Sequence, residues 1–242
     1  ARAMLAASRK NPSLVAQVVP APLTFKVDAT IQRLLTEGYV GNILAIELRG
    51  TQNTFADPDS LLHWRQDSSL SGYNILNLGI WYETLMRWVG PARRVTAMTK
   101  VAVEKRYDQN GQLRIIEVPD HVDVLCDMEC GALAHIRVSA VTGLAEPGEV
   151  WIFGSTGTLK LELSHLGLYG GRKGEDTLSE IMVPVEEQAF WRVEEEFINA
   201  IRGKERVRLT TFEDGVRYMD FTEAVARSSE NGYAINLPLN EG

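Results

Sequence analysis

The chain has 242 residues, 45% of them apolar and 24% charged, enough to bury the core of one large domain or two small ones. Its formal charge of -7 argues against nucleic acid as a partner, because phosphate binding draws on clustered Lys and Arg. No apolar run approaches the roughly 18 residues of a membrane span, and the opening ARAMLAASRK lacks the apolar stretch of a secretory signal. No membrane partner and a cytoplasmic location are therefore expected.

Residues 2–10 read as a helix carried by Ala3, Met4, Ala6 and Ala7 and stopped by Asn11-Pro12. Leu14–Val19, an apolar run bounded by prolines, suits a buried strand. Val27–Thr36 reads as a second helix, closed by Gly38. Ile43–Leu48 reads as a strand. Gly50–Ser71 is irregular and rich in Asn, Asp, Ser and Pro; loops of this length are commonly functional or disordered. Ile75–Val89 reads as an apolar helix ended by Gly90-Pro91.

The next part alternates with period two. Val95, Ala97, Thr99, Val101 and Val103 form one such run, and Val122, Val124, Cys126 and Met128 another, marking an antiparallel sheet with one buried face. Leu133–Val138, Val150–Phe153 and Leu159–Leu163 continue the sheet, the last two turned by Gly154 and Gly157. Cys126 and Cys130 are the only cysteines. Four residues apart on a strand, their Cα atoms are about 13 Å apart, beyond the roughly 7 Å reach of a disulfide. They read as thiols in a reducing compartment, and no further ligand has the spacing of a metal site.

Ser164–Gly174, with four glycines beside Arg172 and Lys173, reads as a mobile loop or, less simply, an anion cradle. Val193, Phe197 and Ile201 mark a helix ended by Gly203. Thr211 and Asp214 open another in the manner of a capping box, with Tyr218, Phe221 and Val225 on one face. Glu194–Glu196 favours the helix dipole. The order predicts an α+β fold: an open, mostly antiparallel or mixed sheet of at least five strands from residues 43–163, with helices packed on one face.

Four blocks carry a family resemblance. They are Ala1–Arg49 with Glu37, Gly38 and Gly41; WRQDSSLSGYNILNLGIWYETLMRWVG at 64–90; EVWIFGSTGTLKLE at 149–162; and residues 193–238, ending AINLP. In this order they resemble the C-terminal, substrate-domain part of Gfo/Idh/MocA oxidoreductases. The resemblance implies that residues 1–22 are a helix-strand remnant of a Rossmann (dinucleotide-binding) domain and that 23–242 form a substrate-binding and oligomerisation domain. It implies NAD or NADP in a full-length protein, a sugar, polyol or similar hydroxyl compound as substrate, and a homodimer or higher homo-oligomer through the sheet. No G-x-G-x-x-G occurs, and Glu104-Lys105 is followed by Arg106 rather than the proline of the family's E-K-P motif. Most of the cofactor domain is therefore expected to be missing, with no cofactor bound by the chain alone and no redox activity in this form.

The family commonly places an aspartate and, four residues later, a histidine base on one helix face. The matching positions here are Asn77 and Trp81, with Gly79 at the motif's glycine. Neither titrates near neutral pH. One reading is a subfamily using another group, such as Tyr82, Glu83, Tyr73 or a lysine outside the chain. The other is a non-catalytic ligand-binding or assembly module. Trp64-Arg65 resembles the family's W-R pair, which implies that Arg65 meets cofactor or substrate oxygens. Tyr73 and Asn74, just before the helix, are candidates for binding substrate. Trp64, Arg65, Tyr73, Asn74, Asn77 and Trp81 are expected to converge on one pocket. His63 is a lesser catalytic candidate beside Trp64; His121, His135 and His165 read as structural or solvated.

Overall fold

The period-two alternation is realised as one nine-stranded sheet in the computed structural model, which describes residues 1–239. The strands are β1 (Ile43–Thr51), β2 (Ala92–Lys100), β3 (Lys105–Tyr107), β4 (Leu113–Ile115), β5 (His121–Met128), β6 (Leu133–Ser139), β7 (Glu149–Gly154), β8 (Gly157–Glu162), β9 (Gly167–Arg172), β10 (Ser179–Glu180) and β11 (Ile235–Asn236). The sheet runs β10-β9-β8-β7-β1-β6-β5-β2-β11, while β3 and β4 form a separate hairpin. Among the described residues, only the β1–β6 pair of this sheet is parallel. The sheet is thus mixed and mostly antiparallel.

Register explains the core. Ala97, Val124, Ile136, Leu48, Val150, Leu161 and Leu168 are successive cross-strand partners, and all are buried. The neighbouring row on the opposite face reads Thr96, Leu125, His135, Glu47, Trp151, Lys160 and Tyr169, none of them buried. The helices are α1 (Arg2–Lys10), α2 (Phe25–Thr36), the single turn α3 (Ser68–Ser71), α4 (Leu78–Val89), α5 (Val193–Ile201) and α6 (Phe212–Asn231). The first face is covered by α6, which packs on β2, and by α4, whose Tyr82 bonds Ala92 of β2 and whose Trp81 lies over Gly50 of β1. α4 buries residues on nearly every side because it lies between the sheet, α2 and α6. The Tyr82 ring of α4 stacks on Phe221 of α6 at 3.5 Å between centroids. The capping box expected at Thr211 and Asp214 starts α6.

Four expectations need correction. Leu14–Val19 is not a strand: an apolar run becomes one only beside a free edge, and this segment meets the rest of the fold through Val18 N–H donating to Thr210 O. Ile75 and Leu76 precede α4 instead of opening it, with Leu76 at φ 53°. Gly50–Ser71 is less irregular than its composition suggests, since β1 runs to Thr51 and Trp64–Gln66 forms a 3-10 turn before α3. The glycine-rich stretch is not a mobile loop, because Gly167–Arg172 is β9. A Cβ on Gly170 would lie 2.7 Å from Tyr39 Oη, so that glycine admits the ring of a neighbouring segment.

The lead-in to the sheet is held by polar ties. Arg2 pairs with Asp220 at 2.7 Å and also donates to Leu239 O, while no residue of α1 is buried.

Candidate functional site

α4 begins on a side chain that is not its own N-cap. Asn74 Oδ1 accepts from Gly79 N–H at 3.1 Å, and a Cβ at Gly79 would sit 3.2 Å from that oxygen. The glycine shared with the family motif therefore lets Asn74 close the first turn. Asn77, at the N-cap position, makes no capping bond, and its Oδ1 is buried with no hydrogen-bond partner. One turn on, Trp81 is 7% exposed and its indole lies over Gly50, where a Cβ would be 2.5 Å from Nε1. Trp81 Nε1 is also buried with no partner. Orphaned buried polar atoms are rare in folded proteins and call for an explanation.

Both residues border one cleft of about 470 Å³. Its other walls are Gly50–Thr54 at the end of β1, Pro147 and Gly148 before β7, and Leu163 and Ser164 after β8. Among the described residues no charged side chain lines it. Gln52, Asn53, Thr54 and Ser164 were not singled out from the sequence. The available signal was a glycine ending a strand and running into T-Q-N-T.

The other expected site residues do not join this cleft. Trp64 is half exposed on the 3-10 turn, with the Arg65 guanidinium 4.2 Å above its ring. His63 serves that turn: its Nδ1 accepts from Arg65 N–H, while its own N–H donates to Gln66 Oε1. Tyr73 is exposed and borders a different cleft, of about 640 Å³, with Thr99, Glu117 and Ser229. The expected single pocket is thus split, because only Asn77 and Trp81 share a helix face that looks toward the end of β1.

The alternative bases also fall elsewhere. Tyr82 is 1% exposed, its hydroxyl accepts from Ala92 N–H at 2.9 Å, and burial pushes its phenol well above the ordinary range. It is a core residue, one step around the helix from Trp81. Glu83 is buried and accepts from Ala21 N–H at 2.7 Å and from Thr210 Oγ1 at 2.6 Å, with Arg87 Nη1 at 3.5 Å. Lys105 is exposed on β3.

On the open face of the sheet, Asp123 accepts from Arg137 Nε at 2.8 Å and bonds His121 and His135 at 2.8 Å each. Partial burial pushes its carboxyl up, but the bonds from Arg137, His121 and His135 outweigh that and bring it to about 2. Cys126 is buried, which pushes its thiol up to about 12, and Cys130 is exposed; both are unpaired. Among the described residues no group of three or more His, Cys, Asp or Glu is placed to hold a metal ion. None of the described strands runs through a glycine-rich turn into a helix, the arrangement that cradles a pyrophosphate. No described helix is long and apolar enough to cross a membrane.

The family model for the GFO/IDH/MocA C-terminal domain matches residues 29–160, more than half of the chain. The chain belongs to the Gfo/Idh/MocA family. No curated protein matches it, but solved structures do. An NAD-binding oxidoreductase from Klebsiella pneumoniae aligns at 18% identity and TM-score 0.83, over 99% of this chain and 70% of that one. Levoglucosan dehydrogenase in complex with NADH and L-sorbose aligns at 20% identity and TM-score 0.77, over 89% and 64%. The WlbA dehydrogenase from Bordetella pertussis, in complex with NADH and UDP-GlcNAcA, aligns at 19% identity and TM-score 0.73, over 98% and 68%. At such identities the likeness shows the fold, and the chain spans roughly two thirds of these Gfo/Idh/MocA-type proteins.

Proposed function

We propose that this chain is the substrate domain of an NAD(P)-dependent oxidoreductase acting on a sugar, polyol or similar hydroxyl compound. One observation carries the reading. The two positions at which the family commonly holds aspartate and histidine border one cleft, and both present buried polar atoms without a protein partner. Solved neighbours bound to NADH with L-sorbose or UDP-GlcNAcA point to the same substrate class. On this reading residues 1–22 are the end of a nucleotide domain and 23–242 the substrate domain. NAD or NADP binds to the nucleotide domain, with Arg65 as a contact to cofactor or substrate oxygens. Asn77 and Trp81 orient the hydroxyl compound, and the proton acceptor comes from outside the cleft.

A second reading draws on the same helix. Asn77 and Trp81 do not titrate near neutral pH, and Tyr82 and Glu83 are bound within the core. This favours a non-catalytic ligand-binding or assembly module. In either case the open sheet face suits a second copy, since Met98, Leu125 and Leu133 stand exposed there. The unpaired cysteines suit a reducing, cytoplasmic setting.

The deciding experiment joins the chain to a nucleotide domain of its family and follows cofactor reduction at 340 nm (nanometres) with a panel of sugars and polyols. Turnover of any member supports the enzyme. Saturable binding without turnover supports the module. The 242-residue chain alone is expected to show no low-micromolar affinity for NADH or NADPH by calorimetry.

A further inference from the structure

We infer that the open face of the sheet carries a proton-operated switch: His121 and His135, both bonded to Asp123, let two copies of this chain dock face to face near neutral pH and separate them in mild acid. The inference rests on reading that face as the seat of a second copy. It adds how the contact is regulated.

The cluster is built from two strands. Asp123 and His121 lie on β5, His135 and Arg137 on β6, and all four side chains are partly exposed on the face away from the helices. Asp123 Oδ1 accepts from Arg137 Nε and His135 Nε2, and Oδ2 accepts from His121 Nε2, each at 2.8 Å. An ionised carboxylate only accepts, so each neutral imidazole holds its proton on Nε2. Nδ1 is then the atom that gains a proton in acid. Histidine is the side chain whose ordinary titration falls between pH 5 and 8. Charge therefore changes here while Asp123, at about 2, stays ionised.

Register fixes what surrounds the cluster. Lys100 of β2 stands opposite His121, and Met98 opposite Asp123. Leu125 of β5 stands opposite His135. On β1, Glu47 is beside His135 and Arg49 beside Arg137, and Arg49 pairs with Glu149 of β7. Asp127, the next carboxylate along β5, is already paired with Arg93 and Arg94. With both imidazoles neutral, Lys100, Arg137 and Arg49 are balanced by Asp123, Glu47 and Glu149. A balanced surface of mixed sign suits a like surface better than a partner of one sign. Exposed Met98, Leu125 and Leu133 set an apolar contact among these charges. Protonating both imidazoles leaves an excess of two positive charges among these groups, and the second copy brings the same excess. Charge taken out of water without a partner opposes docking. Docking thus disfavours the charged imidazoles, and separation takes up protons. The pair is favoured above the imidazole range and lost as the pH falls through it.

The test is sedimentation of the chain over a concentration series at about pH 8, 7 and 5.5, which span the imidazole range. The dissociation constant of the pair is expected to rise on the order of tenfold or more from the first to the last. His121→Gln with His135→Gln keeps side-chain N–H donors for Asp123 but cannot titrate. This double variant, or the Asn pair if it fails to fold, is expected to form the pair and to hold it unchanged in acid. Leu133→Lys is expected to abolish the pair at every pH, which ties it to this face. A pair whose constant is the same at all three pH values overturns the switch and leaves the face a docking surface. A pair that loosens as much in the double variant overturns it as well, since other groups then carry the effect. A pair that survives Leu133→Lys lies elsewhere, and a chain that stays monomeric at every pH has no such contact. Either result removes the docking reading and the switch with it.

Discussion

The two tryptophans of α4 bury their indole N–H groups in opposite ways. Trp88 Nε1 donates to Asp28 Oδ1 at 2.8 Å. Around it Glu83 accepts from Ala21 and Thr210, and Arg87 Nη2 donates to Ala21 O beside Asp28, although Arg87 Nε and Nη1 are buried without a hydrogen bond. At the start of α4, Asn77 Oδ1 and Trp81 Nε1 have no partner. Two tryptophans on one helix thus have opposite environments, although each is 7% exposed. Burial alone does not distinguish these two indoles; the presence or absence of a partner for the N–H does.

This contrast is broken most severely at Glu83. Glu83→Ala leaves Ala21 N–H and Thr210 Oγ1 without their acceptor and takes one carboxylate from beside buried Arg87. A loss of about 3–5 kcal/mol is expected, because one partner of a buried charged network is removed. Urea unfolding measures it, and a change below about 1 kcal/mol shows that the network is not structural. Tyr82→Phe keeps the stack on Phe221 but strips Ala92 N–H of its acceptor. About 1–3 kcal/mol is expected, read as a lowered midpoint in thermal unfolding.

Asp123 sharpens the comparison from the open face, where a carboxylate is satisfied yet partly wet. Its folded pKa, about 2, lies below the ordinary value. Its ionisation therefore contributes stability that is fully present above about pH 4 and is lost as the pH falls toward 2. Asp123→Asn should flatten that acid limb in pH-dependent unfolding, with an effect at neutral pH of less than about 1 kcal/mol, since solvent screens the site. An unchanged acid limb counts against the cluster. The smallest effects belong to the cleft. Asn77→Leu is expected to change stability by less than about 1 kcal/mol, because Asn77 Oδ1 makes no hydrogen bond that the substitution removes. Trp81→Phe carries a further cavity cost, since the indole packs in the core over Gly50.

Much of the fold was legible in the sequence because its signals are local. Period two in residues 95–103 and 122–138 predicted strands; the structure bears this out except that β2 ends at Lys100, leaving Val101 and Val103 outside the sheet, and Thr211 with Asp214 marked the start of α6. β9 was hidden because its glycines read as loop; the close approach of Ile181 and Tyr39 to Gly170 and of His165 to Gly167 accounts for them only in three dimensions. β10 and β11 are two residues long and carry no period. Leu14–Val19 looked like a strand because apolarity does not specify a partner.

The site divides in the same way. The spacing of Asn77 and Trp81 places them on one helix face, and both do line the cleft. Telling Trp81 from Tyr82 requires knowing which side of α4 faces the sheet end, which one residue step of about 100° decides. Gln52–Thr54 and Ser164 reach the cleft through the pairing of β1 with β7 and of β7 with β8. That is a long-range arrangement without a local signature. The tie between Arg65 and Trp64 was readable only as neighbours, not as the surface turn it forms.

The most direct measurement is a crystal structure of the chain soaked in mannitol. Hydroxyl oxygens are expected within about 2.7–3.2 Å of both Trp81 Nε1 and Asn77 Oδ1, in the cleft beside Gly50. A polyol seated only in the cleft of Tyr73 and Thr99, or a Trp81 indole donating to a protein acceptor with no hydroxyl near it, would contradict the assignment.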